Sequence, residues 1–255
     1  MADIRPGRGC MEIAIGDAAS RQLKASEVVA RDIVHDMVEQ GLRTGDRMPS
    51  ESAMLERYGV SRETLREGLR LLEVQGLITI RRGPGGGPMV GRLDPANLGR
   101  TSSLYYHLAG ATYRDLFDSW VLMESMLAEL AARNADRATA RKALEPFLHA
   151  LDTREADSAS FFEAHGHFHA VVASLAGNRV LELTFQTAGQ IVSHHVVVTA
   201  DPRDLREVLD HDHAVVAKAI MSGHPRKART EMATHIRNVT AYYQDQDMTS
   251  LIDWR

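Results

Sequence analysis

The twenty residues from Tyr58 to Leu77, YGVSRETLREGLRLLEVQGL, constrain this chain more than any other stretch. At 100° per residue, Arg62, Arg66 and Arg70 fall on one ridge and Leu65, Leu69 and Leu72 on the adjoining stripe. That pattern predicts a helix with one guanidinium face and one packed face. Ser61 stands where an N-cap would, and Gly59 suits a tight turn between two helices. An arginine in the first turn of a helix that enters the major groove can pair bidentately with guanine O6 and N7. The alternative is an ordinary amphipathic helix with a solvated arginine face, and the residues downstream argue against it.

The formal net charge of −4 is unusual for a nucleic-acid binder until it is divided along the chain. Arginines 57, 62, 66, 70, 81 and 82 stand against only three glutamates, 63, 67 and 73, so the positive excess is local. From residue 101 onward there are fifteen basic and twenty acidic side chains, and that half is not expected to touch DNA. The 255 residues suffice for two domains, each with its own core. No apolar run approaches the roughly 18 residues of a membrane span, and the N-terminus lacks the apolar core of a secretory signal. A cytoplasmic protein with no membrane partner is expected. Cys10, the sole cysteine, allows no internal disulfide and no cysteine-based zinc cluster, so any metal must be held by histidines and carboxylates.

Residues 1–20 are glycine-rich and aperiodic, and read as a mobile arm. Val29, Ile33 and Met37 then recur at helical spacing from Gln22 to Gln40, with Gly41 as the stop. Pro49 and Ser50 precede a short second helix, and the arginine helix follows. A strand begins at Leu77–Ile80, a basic Gly-rich turn runs from Arg81 to Gly87, and Met89 and Val90 return, which makes a wing. Residues 21–91 are thus a predicted winged helix-turn-helix, and residues 92–103, with Gly, Pro and Ser but no period, a predicted linker. Beyond it only helical patterns occur, over about 104–108, 116–134, 137–153, 158–176, 179–199, 203–222 and 225–246. The fold class is therefore mainly α: a winged helix-turn-helix with a small β-wing, then an all-α bundle of six or seven helices over 104–247.

The order G-x-R-x-P-S-E, G-V-S-R-x-x-x-R-E, L-x-x-x-G-L-I and a Gly-rich wing resembles the GntR family of bacterial transcription regulators, almost without a gap from 22 to 90. The resemblance implies operator contacts from Arg62 and Arg66, and from the wing at Arg81, Arg82 and Gly83. Ser52 stands where the family usually has an arginine after the P-S-E glutamate, so the preferred half-site is expected to differ. Glu63 can accept from cytosine N4 or favour the helix dipole, with the dipole the stronger reading. The expected DNA-facing set is Ser50, Ser61, Arg62, Glu63, Thr64, Arg66, Arg81, Arg82 and Gly83.

In the helical half, His165 and His169 lie four apart on a face shared with Phe162 and Val172. His213 shares a stripe with Leu209, Val216 and Ile220, and His235 with Met232, Ile236 and Val239. Three helices therefore aim imidazoles at one core. Any one of these histidines alone would read as a hydrogen-bonded core residue. All four facing inward read as metal ligands, with Zn²⁺ first and Ni²⁺ possible. His167 and His211 lie off these stripes and should be solvated.

This half resembles the FCD ligand-sensing domain of the FadR branch of the GntR family. That resemblance implies Asp-x-x-x-His on one helix and one histidine on each of two later ones, matching His169, His213 and His235, with His165 in place of the aspartate. It also implies an arginine four residues before Glu124 to grip an acidic effector, where this chain has Trp120. His194 and His195 could line the same pocket.

The expectation is a homodimeric, ligand-responsive transcription factor, by default a repressor, on a palindromic operator. Its effector would be an organic acid with an apolar portion stacked near Trp120. A purely structural metal and dimerisation module is the second reading. A histidine-metal hydrolase is the third, disfavoured because no H-E-x-x-H or comparable motif is present.

Overall fold

The computed structural model describes residues 23–83, 85–134, 136–149, 158–199, 206–242 and 248–253. They fall into two compact units that meet in the sequence between Leu98 and Gly99. The arm predicted for residues 1–20 lies outside the described residues.

The first unit contains α1 (Ala25–Glu39), α2 (Glu51–Tyr58), α3 (Arg62–Val74), β1 (Ile78–Arg81) and β2 (Gly87–Val90). The expected caps set its boundaries. Ser50 Oγ accepts from the Ala53 N–H at 3.3 Å and Ser61 Oγ from the Thr64 N–H at 3.1 Å. Gly59 ends α2 at φ +61°, a left-handed conformation that would strain any other residue. The leucine stripe of α3 packs with Val29, Ile33, Met54 and Ile78, and Ile33 and Leu65 are completely buried. Gly68 faces α1. A Cβ there would lie 2.5 Å from Val29 Cγ1 and 3.1 Å from the Ser26 carbonyl, which explains a glycine in mid-helix. β1 and β2 pair antiparallel, Ile78 opposite Val90 and Arg81 opposite Gly87, and form the wing.

Among the described residues the second unit is built on seven α-helices: α4 (Pro95–Leu108), whose first turn precedes the boundary, α5 (Tyr113–Asn134), α6 (Arg137–Leu144), α7 (Ser158–Leu175), α8 (Arg179–Thr199), α9 (Arg206–Met221) and α10 (Pro225–Tyr242). α5 is central, packed against α7, α8, α9 and α10. Phe117, Leu127, Phe168, Val172, Val216, Ile220, Met232 and Ile236 fill the core.

Three boundaries correct the sequence reading. Most of the predicted linker is helical, because α4 begins at Pro95. The Asp94 side chain accepts from the Ala96 N–H at 2.9 Å, and proline in the first turn loses no helical hydrogen bond. The Gly and Ser read there as breakers include Gly99 and Ser103, small residues four apart on the buried face, with Gly99 against Thr187 and Gln190. The helix expected over 137–153 stops at Leu144 and passes into a 3-10 turn (Glu145–Leu148) containing Pro146, which cannot donate to a continuing helix. The unit also extends past residue 247. Met248 and Ile252 are buried, and the Met248 and Ser250 carbonyls accept from the Arg114 and Tyr113 N–H groups at 3.0 and 3.1 Å, satisfying free donors at the start of α5.

Candidate functional site

In the first unit, α3 and the wing carry the basic side chains outward. Arg62, Glu63, Arg66, Arg70, Arg81, Arg82 and Gly83 are exposed, Ser50 and Ser61 serve as caps, and Thr64 is half-buried beside Ser61, their hydroxyls 2.9 Å apart. A cleft of about 690 Å³ opens between α3 and the hairpin, its lining including Arg47, Arg66, Arg70 and Arg81 opposed by Glu51 and Glu73. Arg47 is brought there by a backbone bridge to Met89. Its side chain lay inside the G-x-R-x-P-S-E motif, but only the bridge places it beside the wing.

Two contacts could not be read from the sequence. Glu51 faces the arginine ridge: Arg66 Nε and Nη2 donate to its two carboxylate oxygens at 3.1 and 3.4 Å, and Arg62 Nη1 stands 3.9 Å away. Arg57, counted in the basic excess, is engaged elsewhere, since with the Tyr58 hydroxyl it donates to Asp36 of α1. The Arg57 hydrogen bond, followed by that of Tyr58, holds the Asp36 carboxyl below its usual range.

In the second unit, α7, α9 and α10 bring His169, His213 and His235 together, with one ring nitrogen of each within 4.8 Å of the others. His169 Nε2 and His235 Nε2 are 3.4 Å apart, and all three rings are buried. Two nitrogens each about 2.0–2.1 Å from a tetrahedral Zn²⁺ lie roughly 3.3–3.4 Å from one another. His213 Nε2 has no hydrogen-bond partner among the described residues, a vacancy costly for a buried polar atom and suited to a cation. Burial, reinforced by the neighbouring imidazoles, holds His213 well below the usual histidine range. Burial also lowers His235, against the opposing pull of Asp212. Both are therefore favoured in the neutral form that binds metals.

Carboxylates stand behind two of the rings. Glu124 Oε1 is 2.8 Å from His169 Nδ1, and Asp212 Oδ2 is 3.4 Å from His235 Nδ1. Asp212 is hydrogen-bonded to its ring and Glu124 stands close to His169 without a hydrogen bond, and carboxylates so placed favour the tautomer that turns Nε2 inward. Burial is the largest influence on Asp212 and would raise it, but the hydrogen bonds from His235 and Asn238 outweigh burial and leave it lowered.

His165 does not join the three. It is buried, its ring 5.6 Å from that of His213, but its Nε2 is 3.4 Å from Asp210 Oδ1. Trp120 is 6% exposed and donates its indole N–H to Glu124 Oε1 at 3.0 Å, so its polar edge is engaged inside the core. His194 and His195 lie in α8, and their side chains fall outside the described residues. His167 and His211 are exposed.

A winged helix-turn-helix with an arginine ridge, followed by an all-α domain with a buried imidazole cluster, is the architecture of a DNA-binding transcriptional regulator. Residues 25–86 match the bacterial regulatory proteins of the gntR family and residues 115–238 match the FCD domain; the chain belongs to the GntR family. It is 28% identical over 234 residues to the Glc operon transcriptional activator of Escherichia coli K12, spanning 87% of this chain and 90% of that protein. It is 26% identical over 234 residues to the HTH-type transcriptional repressor NanR of Citrobacter rodentium, spanning 86% and 85%. Among solved structures, Streptococcus agalactiae GntR shares the fold with a TM-score of 0.62 at 22% identity, covering 85% of this chain and 99% of that one. Among the described residues, no helix is long and apolar enough to cross a membrane.

Proposed function

We propose that this protein is a metal-dependent, effector-responsive cytoplasmic regulator that binds a palindromic operator as a homodimer. By default it represses by occupying that operator. The observation that carries the sensing half is the 3.4 Å approach of His169 Nε2 to His235 Nε2 beside His213 Nε2, which has no partner among the described residues. Three imidazoles suit Zn²⁺ first and Ni²⁺ second, and suit Mg²⁺ or Ca²⁺ poorly. His169, His213 and His235 would hold the ion, with Glu124 and Asp212 orienting two of the rings. A bound cation would supply a Lewis-acid contact for one oxygen of an organic acid. His165, paired with Asp210, stands beside this set as a further polar group for the effector rather than as a fourth ligand.

Trp120 adds an apolar surface and no charge, so the acid we favour retains an apolar portion. On the operator side, Arg62 and Arg66 would read base edges, and Arg47, Arg70, Arg81, Arg82 and Gly83 would follow the phosphates. The two relatives named above act in opposite senses, one an activator and one a repressor. The sign of regulation follows from where the operator lies, and default repression is therefore the part of this reading that a promoter assay decides.

The test is anisotropy titration of an operator duplex selected from a random pool, with metal-free and Zn²⁺-loaded protein. Short hydroxy acids are compared with longer apolar acids as additives, and dimerisation is followed by sedimentation. Effector and operator affinities must change reciprocally. Operator binding that ignores every acid while the dimer persists would make the helical domain a structural dimerisation module instead.

A further inference from the structure

We infer that Trp120 is a positioning residue for the imidazole cluster: its indole N–H fixes Glu124, and Glu124 fixes the orientation and tautomer of His169. The inference deepens the metal-centre reading above and rests on it.

Trp120 and Glu124 are one turn apart on α5 and both point into the core, with Glu124 wholly buried. The indole Nε1–H donates to Glu124 Oε1 at 3.0 Å, and the same oxygen lies 2.8 Å from His169 Nδ1. Glu124 Oε2 has no hydrogen-bond partner among the described residues. A carboxylate held out of water with one bare oxygen is destabilising, and an apolar side chain would fill the position at lower cost. What the carboxylate provides in return is an acceptor behind His169. With the proton drawn to Nδ1, the lone pair of Nε2 faces His235 Nε2 and the cluster.

His169 Nδ1 stands 2.8 Å from Oε1 without a hydrogen bond to it, so the carboxylate needs a second anchor to hold its place. Trp120 is that anchor. An arginine at this position would pair with Glu124 through charge and draw the carboxylate from the imidazole. A neutral indole donates one hydrogen bond and leaves the negative charge to His169. The indole also bounds the ring sterically, its centroid 6.4 Å from that of His169 and 5.8 Å from that of Phe117.

The test uses the full chain and Trp120→Phe, which keeps an aromatic ring and deletes the donor. Zn²⁺ affinity is measured by competition with a chromogenic chelator. The His169 tautomer is read in metal-free protein from long-range ¹H–¹⁵N spectra, assigned with His169→Gln. Loss of an outer partner typically weakens metal binding by 10–100-fold. Trp120→Phe should lose about tenfold, and His169 should pass from a single Nδ1–H tautomer to a mixture. Phe117→Leu, which disturbs the same packing without touching a donor, should change neither. If Trp120→Phe does not fold, Glu124→Gln reads the same link. Wild-type affinity and an unchanged tautomer in Trp120→Phe would overturn the inference, as would equal losses in Phe117→Leu. If wild type itself binds no Zn²⁺, the metal reading falls, and the tautomer measurement alone decides the Trp120–Glu124–His169 link.

Discussion

Replacing Arg66 by alanine should weaken operator binding by roughly 2- to 60-fold, and the structure shows why the loss is less than that of an unencumbered arginine. In the free protein Arg66 already donates twice to Glu51 at 3.1 and 3.4 Å. Reaching a guanine edge means giving up or sharing that pair. A bidentate base contact contributes about 1–3 kcal/mol of discrimination. The Glu51 pair involves an arginine side chain 67% exposed, and exposed pairs contribute about 0–1 kcal/mol. Offsetting about 0.5 kcal/mol for the pair, the middle of its range, leaves about 0.5–2.5 kcal/mol, which gives the stated range at 1.4 kcal/mol per factor of ten. Glu51→Gln should have the opposite sign, tightening binding by up to about fivefold and most visibly on scrambled duplexes, because it releases Arg62 and Arg66 and removes a negative charge from the phosphate face. The assay is anisotropy titration of operator and scrambled duplex between 50 and 200 mM salt, with the double mutant closing the cycle. An Arg66 that contacts only phosphate would lower the salt slope by about one and weaken both duplexes alike. If Arg66→Ala binds both duplexes as wild type does, this face of α3 is not the operator interface.

Purified protein should carry about one Zn²⁺ or Ni²⁺ per chain by elemental analysis, and His169→Ala/His213→Ala should carry none; equal metal content in the two would refute the ligand set. Adding Zn²⁺ to metal-free protein at 100 times its Kd should stabilise it by about 2.7 kcal/mol in a thermal melt. His213 and His235 are harder to protonate folded than unfolded, so the unfolded chain binds more protons below about pH 6.5. The metal-free protein should therefore melt at a lower temperature at pH 5.5 than at pH 7.5, and His213→Gln should flatten that slope; an unchanged slope in the variant would place the acid sensitivity elsewhere. Gly68→Ala gains about 1 kcal/mol of helix propensity but overpacks against Val29 and Ser26 at a cost of about 1–3 kcal/mol, so the first unit should lose up to about 2 kcal/mol in urea titration. A stabilised variant would show that α1 moves aside freely.

The sequence by itself determined the elements whose signals are local. Ser50, Ser61 and Gly59 mark helix ends through contacts within four residues. The Arg62–Arg66–Arg70 ridge follows from helical periodicity alone, and so do the inward directions of His169, His213 and His235. Periodicity fixes a side chain's bearing on its own helix and nothing about the distance to the next, so only the tertiary structure decided which groups meet. The four inward histidines are equivalent on their stripes, yet in the fold His165 stands beside Asp210 while the three others converge. Trp120 and Glu124 are a local pair one turn apart on α5, but the His169 ring beside them belongs to α7, so helix packing alone joins the three. The linker misread had the same origin: Gly99 and Ser103 signal a break until a neighbouring helix is present to pack against them, and the backbone that small residues leave free is then held by contact rather than by sequence.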